Sequence, residues 1–170
     1  MLPFREQTGE CRLQGRLITA SRERFGVFMQ ATHLSTQPGN VIPFGYACDS
    51  AIMKLERLMR NQKAYLVDIR LAPQSRWHPA FNKAALQMRY PKRYVHMPEL
   101  GNLHYRLQDR KKGIKLANPE RGIARLLKGL SQGRTLLLLC ACHNKGCHRW
   151  TVVKLLQEAL PDVQIGAALR

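Results

Sequence analysis

Residues 135–140 read TLLLLC, four consecutive leucines between a Gly-Arg turn and a cysteine-rich stretch. A strand with one wet face alternates, and a surface helix keeps a polar stripe. A short, unbroken apolar run bounded by turn residues belongs inside, covered on both faces, as in a parallel sheet packed between helices. The flanks agree. Upstream, Asn118-Pro119-Glu120 is a helix start, and Ile123, Leu126, Leu127 and Leu130 form one apolar stripe. Downstream, Trp150, Val153, Leu156 and Leu160 repeat at helical spacing.

The rest of the chain from residue 41 supplies partners for that strand. AYLVDIR (64–70) and RYVHM (93–97) are strand-like, VIPFGYA (41–47) reads as a strand start despite Pro43, and VQIGAAL (163–169) is placed to close the sheet. DSAIMKLERLMR is helical, with Asp49 or Ser50 as N-cap, and FNKAALQM has short helical character. The expected fold is α/β, a single domain over 41–170 with a mainly parallel sheet flanked by helices. Residues 1–40, including the ambiguous GRLITAS and FGVFMQATHL, are the least legible. They are expected as a strand or loop segment that packs on or extends the core. Residues 101–117 are basic and weakly patterned, and are expected as a mobile flap.

Charge points to the partner. The chain carries 28 Lys and Arg against 11 Asp and Glu, a net +17, and 18 of the basic residues are Arg. Such an excess spread along a chain suits a polyanion, and the planar guanidinium suits phosphate. Lys92 and Arg93 lie between two tyrosines, and Arg106, Arg110, Lys111, Lys112 and Lys115 form the densest patch. Nucleic acid, DNA or RNA, is therefore the expected partner, with these seven residues on its backbone. No apolar stretch approaches the roughly 20 residues of a membrane span, and the N-terminus lacks a continuous apolar signal region. With five cysteines, an odd number, a reducing cytoplasm and no membrane partner are expected.

In an open parallel sheet, ligands bind beyond the carboxyl ends of the strands. Three strand ends here bring polar groups to that edge: Asp68 and Arg70 with Ser75 and Arg76 after the second strand, Glu99 and Gly101 after the third, and the turn 140–149 after the leucine run. Cys140, Cys142, Cys147 and His148 are enough ligands for zinc, but a Cys-x-Cys arm beside an adjacent Cys-His pair departs from the two-residue gaps of zinc knuckles. A nucleophilic cysteine favoured by Arg149 is a second possibility. Against the phosphatase arrangement, the residue six before Arg149 is His143. An anion pocket at a helix start, with Gly146 and Arg149, is the preferred reading, and plain packing the remaining one. No metal or other cofactor is expected.

These stretches together resemble the domain-of-unknown-function 488 family. The resemblance rests on five elements in order: Asp68-x-Arg70, the Pro-x-Ser-Arg loop ending at Ser75 and Arg76, Phe81-Asn82, the Pro-Glu-Leu-Gly turn with Glu99 and Gly101, and Cys147-His148-Arg149. It covers about residues 41–169. It implies a compact α/β fold whose signature residues, Cys140 included, surround one cleft. Many members carry an acidic residue where this chain has Cys142, so a mechanism needing a carboxylate there does not transfer.

Three functions compete. In a hydrolase acting on nucleic acid or a nucleotide, Asp68, Glu99 and Cys140 would be catalytic. Arg70, Ser75, Arg76, Asn82, Gly101, His148 and Arg149 would then bind substrate and phosphate. Asp68 paired structurally with Arg70 or Arg76 is the alternative to a general base. In a non-catalytic accessory protein the same residues clamp a nucleic-acid backbone. In a cysteine-based redox or zinc module the charge is incidental.

Overall fold

A computed structural model describes residues 39–142 and 146–167, apart from the side chains of Leu107 and Arg110. The N-terminal expectations, the His143 position, the Arg110 contact and the last three residues lie outside that description.

Five strands form one sheet: β1 (Asn40–Gly45), β2 (Ala64–Asp68), β3 (Tyr94–His96), β4 (Thr135–Cys140) and β5 (Gln164–Ile165). Their spatial order is β3-β2-β4-β1-β5, and every pairing is parallel. The leucine run is the central strand, paired with β2 on one side and β1 on the other. Leu137, Leu138 and Leu139 have no exposed surface, each burial contributing about 2 kcal/mol. Pro43 lies inside β1, buried and opposite Leu138, at a point where, among the described residues, no strand pairs with the other side of β1, as a proline requires.

The alternation along β4 splits the core. Leu137 and Leu139 pack with α1 (Ala51–Met59) and α2 (Lys83–Arg89), through Leu55, Met59 and Leu86. Leu136, Leu138 and Cys140 face α3 (Pro119–Ser131) and α4 (His148–Ala159), through Leu126, Leu130, Val152 and Leu156. Asn118 caps α3 by accepting the N–H of Arg121 at 3.1 Å, as its sequence start signal implies. Ser50 occupies the N-cap of α1 but makes no side-chain capping bond.

Among the described residues the last strand is two residues long, shorter than VQIGAAL, pairing with Asn40 and Val41 and ending before Pro43, which has no N–H to offer. The basic stretch after Gly101 is also more built than its pattern implies. Asn102 and Leu116 form an antiparallel bridge, the Asn102 Oδ1 accepts the N–H groups of His104 and Lys115, and residues Leu107–Lys112 coil into a 3₁₀ turn.

The strand order sets the location of the site. From β2 the chain runs outward to β3, and from β4 it runs the other way to β5. Neighbouring strands with diverging connections leave a crevice between their carboxyl ends. Here that crevice is bounded by Asp68–Arg70 and by Cys140 onward.

Candidate functional site

The β2 side of the crevice is closed by an ion pair. Arg70 donates from Nε to Asp68 Oδ1 at 2.8 Å and from Nη2 to Asp68 Oδ2 at 2.6 Å. Tyr94 Oη donates to the same Oδ2 at 2.8 Å, and Arg70 also reaches Tyr46 Oη and the Phe81 carbonyl. Asp68 is fully buried and Arg70 is 5% exposed. Burial works against the guanidinium, but the hydrogen bonds and charge of Asp68 raise its pKa overall. Burial and then the Asp68 charge push the Tyr94 phenol upward. Asp68 thus stands in the structural pair that the sequence left as an alternative.

The β4 side is different in kind. Cys140 is the last residue of β4, Cys147 is the N-cap of α4 and His148 is its first residue. Their donor atoms and the Cys142 sulfur all lie within 4.8 Å of one another. Cys147 Sγ is 3.3 Å from Cys140 Sγ, Cys140 Sγ is 3.6 Å from Cys142 Sγ, and His148 Nδ1 is 3.7 Å from Cys140 Sγ. Spacing alone hides this, because one pair hangs from a strand end and the other from a helix start. Among the described residues, these four side chains form the cluster that could hold a metal ion.

Hydrogen bonds from Cys140 and then Cys147, with the charges of His148 and Arg149, hold the exposed Cys142 thiol well below its usual range. Donating to Cys142 moves Cys140 up, and Cys147 moves up as the donor to Cys140. Burial opposes the His148 imidazolium, but the hydrogen bond and charge of Cys147 leave it raised.

Arg149 points inward. It is 3% exposed, and its Nη1 donates to the Cys142 carbonyl at 2.9 Å. Gly45 makes room for it, since a Cβ there would meet Nη1 at 2.4 Å and the Cys142 oxygen at 2.8 Å. Its Nε is buried without a partner, and among the described residues no carboxylate pairs with it.

A cavity of about 700 Å³ opens above the cysteines. Cys140, Cys142, Cys147, His148 and Gly146 line one side, Tyr46, Arg70 and Gln74 another, and His104, Tyr105, Gly113 and Ile114 of the basic stretch a third. Gly146 has open space around it, so it borders the cavity without a close protein contact. Ser75, Arg76, Asn82 and His96 line a neighbouring cavity of about 760 Å³, which also shares Gln74. There Asn82 Oδ1 accepts the Ser75 N–H at 2.6 Å and Ser75 Oγ accepts that of His78 at 3.1 Å, so the Ser and Asn motifs brace their loop. Arg76 is exposed.

Other expected site residues lie elsewhere. Glu99 borders neither cavity; it faces α3, with Arg125 Nη1 at 2.7 Å and Arg121 Nε at 3.6 Å. Burial would raise its pKa, but its own backbone N–H and these arginines keep it below the usual value. Gly101 serves close packing, because a Cβ would come within 2.8 Å of the Leu71 backbone. Arg93 donates to the Met59 and Asn61 carbonyls, while Lys92 is exposed. Arg106, Lys111, Lys112 and Lys115 are exposed, with Lys112 bonded to Asp109 at 2.8 Å. Sequence reasoning missed Tyr46, His104 and Tyr105 as cavity residues; only the basic-aromatic pairing of Tyr105 with Arg106 offered a signal.

A family model, domain of unknown function DUF488, matches residues 52–156, a span that holds all five sequence motifs. No curated protein and no solved structure matches the chain. Among the described residues, no helix is long and apolar enough to cross a membrane.

Proposed function

The chain belongs to the DUF488 family, and from that premise we propose that it is a nucleic-acid-binding protein whose ligand backbone lies on the 106–115 stretch while a nucleotide enters the cysteine-lined cavity. One observation carries this reading: the stretch that holds the densest basic patch in the sequence also supplies lining residues of the cavity, Tyr105, Gly113 and Ile114. Arg106, Lys111 and Lys115, neighbours of these lining residues in sequence, are exposed to solvent, where phosphates would displace counterions. Tyr105, 45% exposed, is available to stack on a base, a contact worth about 1–3 kcal/mol. A net charge of +17 supports the same partner class.

Binding, not hydrolysis, is the better-supported half of this reading. Both oxygens of Asp68 are engaged by Arg70 and Tyr94, and Glu99 turns away to α3. Neither carboxylate borders the cavity, and a general base must reach the proton it removes. Arg70 lines the cavity but is held by Asp68, Arg149 is buried against the Cys142 carbonyl, and the phosphate contacts fall to the exposed lysines and arginines.

The test is affinity for single- and double-stranded DNA and RNA across a salt series. Affinity should fall steeply, and Lys111→Glu with Lys115→Glu should flatten the log–log slope by about 1.4–1.8 if both contact phosphate. Absent or salt-insensitive binding overturns the proposal.

A further inference from the structure

We propose that Cys140, Cys142, Cys147 and His148 bind one zinc ion, and that the ion fastens the end of β4 to the start of α4 beneath the cavity. Zinc bound by sulfur at about 2.3 Å places neighbouring sulfurs about 3.8 Å apart in a tetrahedron, and sulfur about 3.5 Å from nitrogen. The cysteine and imidazole atoms here are 3.3–3.8 Å apart in their closest pairs and all lie within 4.8 Å. The pre-assembled set therefore needs shifts of only a few tenths of an ångström in those pairs.

Two features beyond the four ligands point to a cation of this kind. His148 Nε2 lies 3.0 Å from the Ile69 carbonyl, which can only accept. In the neutral imidazole that a metal ion requires, the proton is thus on Nε2, and Nδ1, the nitrogen facing the sulfurs, presents a lone pair. A backbone carbonyl holding the far nitrogen is the usual outer partner of a metal-bound histidine. It also extends the site across the crevice, since Ile69 directly follows β2.

The second feature is charge. One zinc ion held by three thiolates and a neutral His148 gives a complex with a net charge of minus one. Arg149, buried and without a carboxylate partner among the described residues, donates to the carbonyl of the ligand Cys142. An isolated buried guanidinium is costly, and an anionic complex beside it removes that cost. Three thiolates and an imidazole select zinc over the hard cations that prefer oxygen, and four protein ligands leave no open position. The site is therefore structural, and the cavity above it is shaped by the ion without using it as a reagent.

This inference stands independently of nucleic-acid binding, because its measurements use the reduced, full-length protein freed of nucleic acid. Zinc content by atomic emission should be about one equivalent, and cobalt titration should give the intense visible bands of a tetrahedral thiolate site. Cys142, the exposed ligand, is the variant least costly to the core. Cys142→Ser should weaken zinc binding beyond the roughly 10–100-fold typical of lost outer partners, and Cys48→Ser should leave it unchanged. Zinc below about 0.2 equivalents after incubation with the ion, together with no cobalt bands, overturns the inference. So does a Cys142→Ser protein that binds zinc as tightly as the parent. The cobalt spectrum of the parent decides the matter even if the variant fails to fold.

Discussion

The two sides of the crevice carry similar densities of polar groups and treat them in opposite ways. Beyond β2, each strong donor is matched to an acceptor: both Asp68 oxygens are taken, and Arg70 spends its nitrogens on Asp68, Tyr46 and Phe81. Beyond β4, three sulfurs and an imidazole nitrogen converge with only weak thiol contacts among themselves, next to a buried arginine that no carboxylate pairs with among the described residues. A self-satisfied network is scaffold. A converging set of like donors asks for something from outside, and the difference tells structural polar residues from functional ones without any appeal to residue type.

The largest expected effect attacks the satisfied side. Arg70→Ala leaves a fully buried carboxylate without its cation and should cost about 3–5 kcal/mol in chemical denaturation. A loss below about 1 kcal/mol would mean that the pair is not the lock described here, and Asp68 would return as a candidate base.

Gly45→Ala tests how tightly the second side is held. Its new Cβ would collide with Arg149 Nη1 and the Cys142 carbonyl, and such overpacking costs about 1–3 kcal/mol. If Arg149 serves the cysteine turn, zinc affinity should fall with stability. A stability loss with unchanged zinc affinity would separate the arginine from the metal site.

Glu99→Gln gives the smallest change, because its partners Arg121 and Arg125 are exposed to solvent. It should cost under about 1 kcal/mol at neutral pH. The folded carboxyl titrates below its unfolded value, so its contribution is present above the unfolded value and fades as pH falls through the folded one. Parent and variant should therefore converge in stability in acid. Divergence there would show that Glu99 is held by something other than these arginines.

Much of this contrast was legible before any coordinates. The leucine run places β4 at the centre, the Asn118-Pro119-Glu120 start predicts α3, and the strand-end rule brings the Asp68 and Cys140 turns to the same edge. Glu99 escapes that logic: it follows β3 in sequence, but its 3₁₀ turn packs on α3, and the arginines that claim it come 22 and 26 residues later. The zinc-knuckle spacing rule overlooks the Cys140–His148 cluster for a related reason. It describes ligands on one hairpin, and here strand and helix geometry bring together a pattern that looks wrong when written as a line.

What the chain determines by itself is therefore the local and periodic part: which segments are strands or helices, which faces are apolar, and that the surface is strongly cationic. These follow from neighbouring residues and from total charge. The tertiary structure alone decides that Arg149 turns inward under Gly45, that Asp68 is consumed by Arg70 and Tyr94, and that four soft ligands share one small volume. Such outcomes depend on directions of side chains that are distant in sequence, and those directions are set by packing on both faces of the sheet.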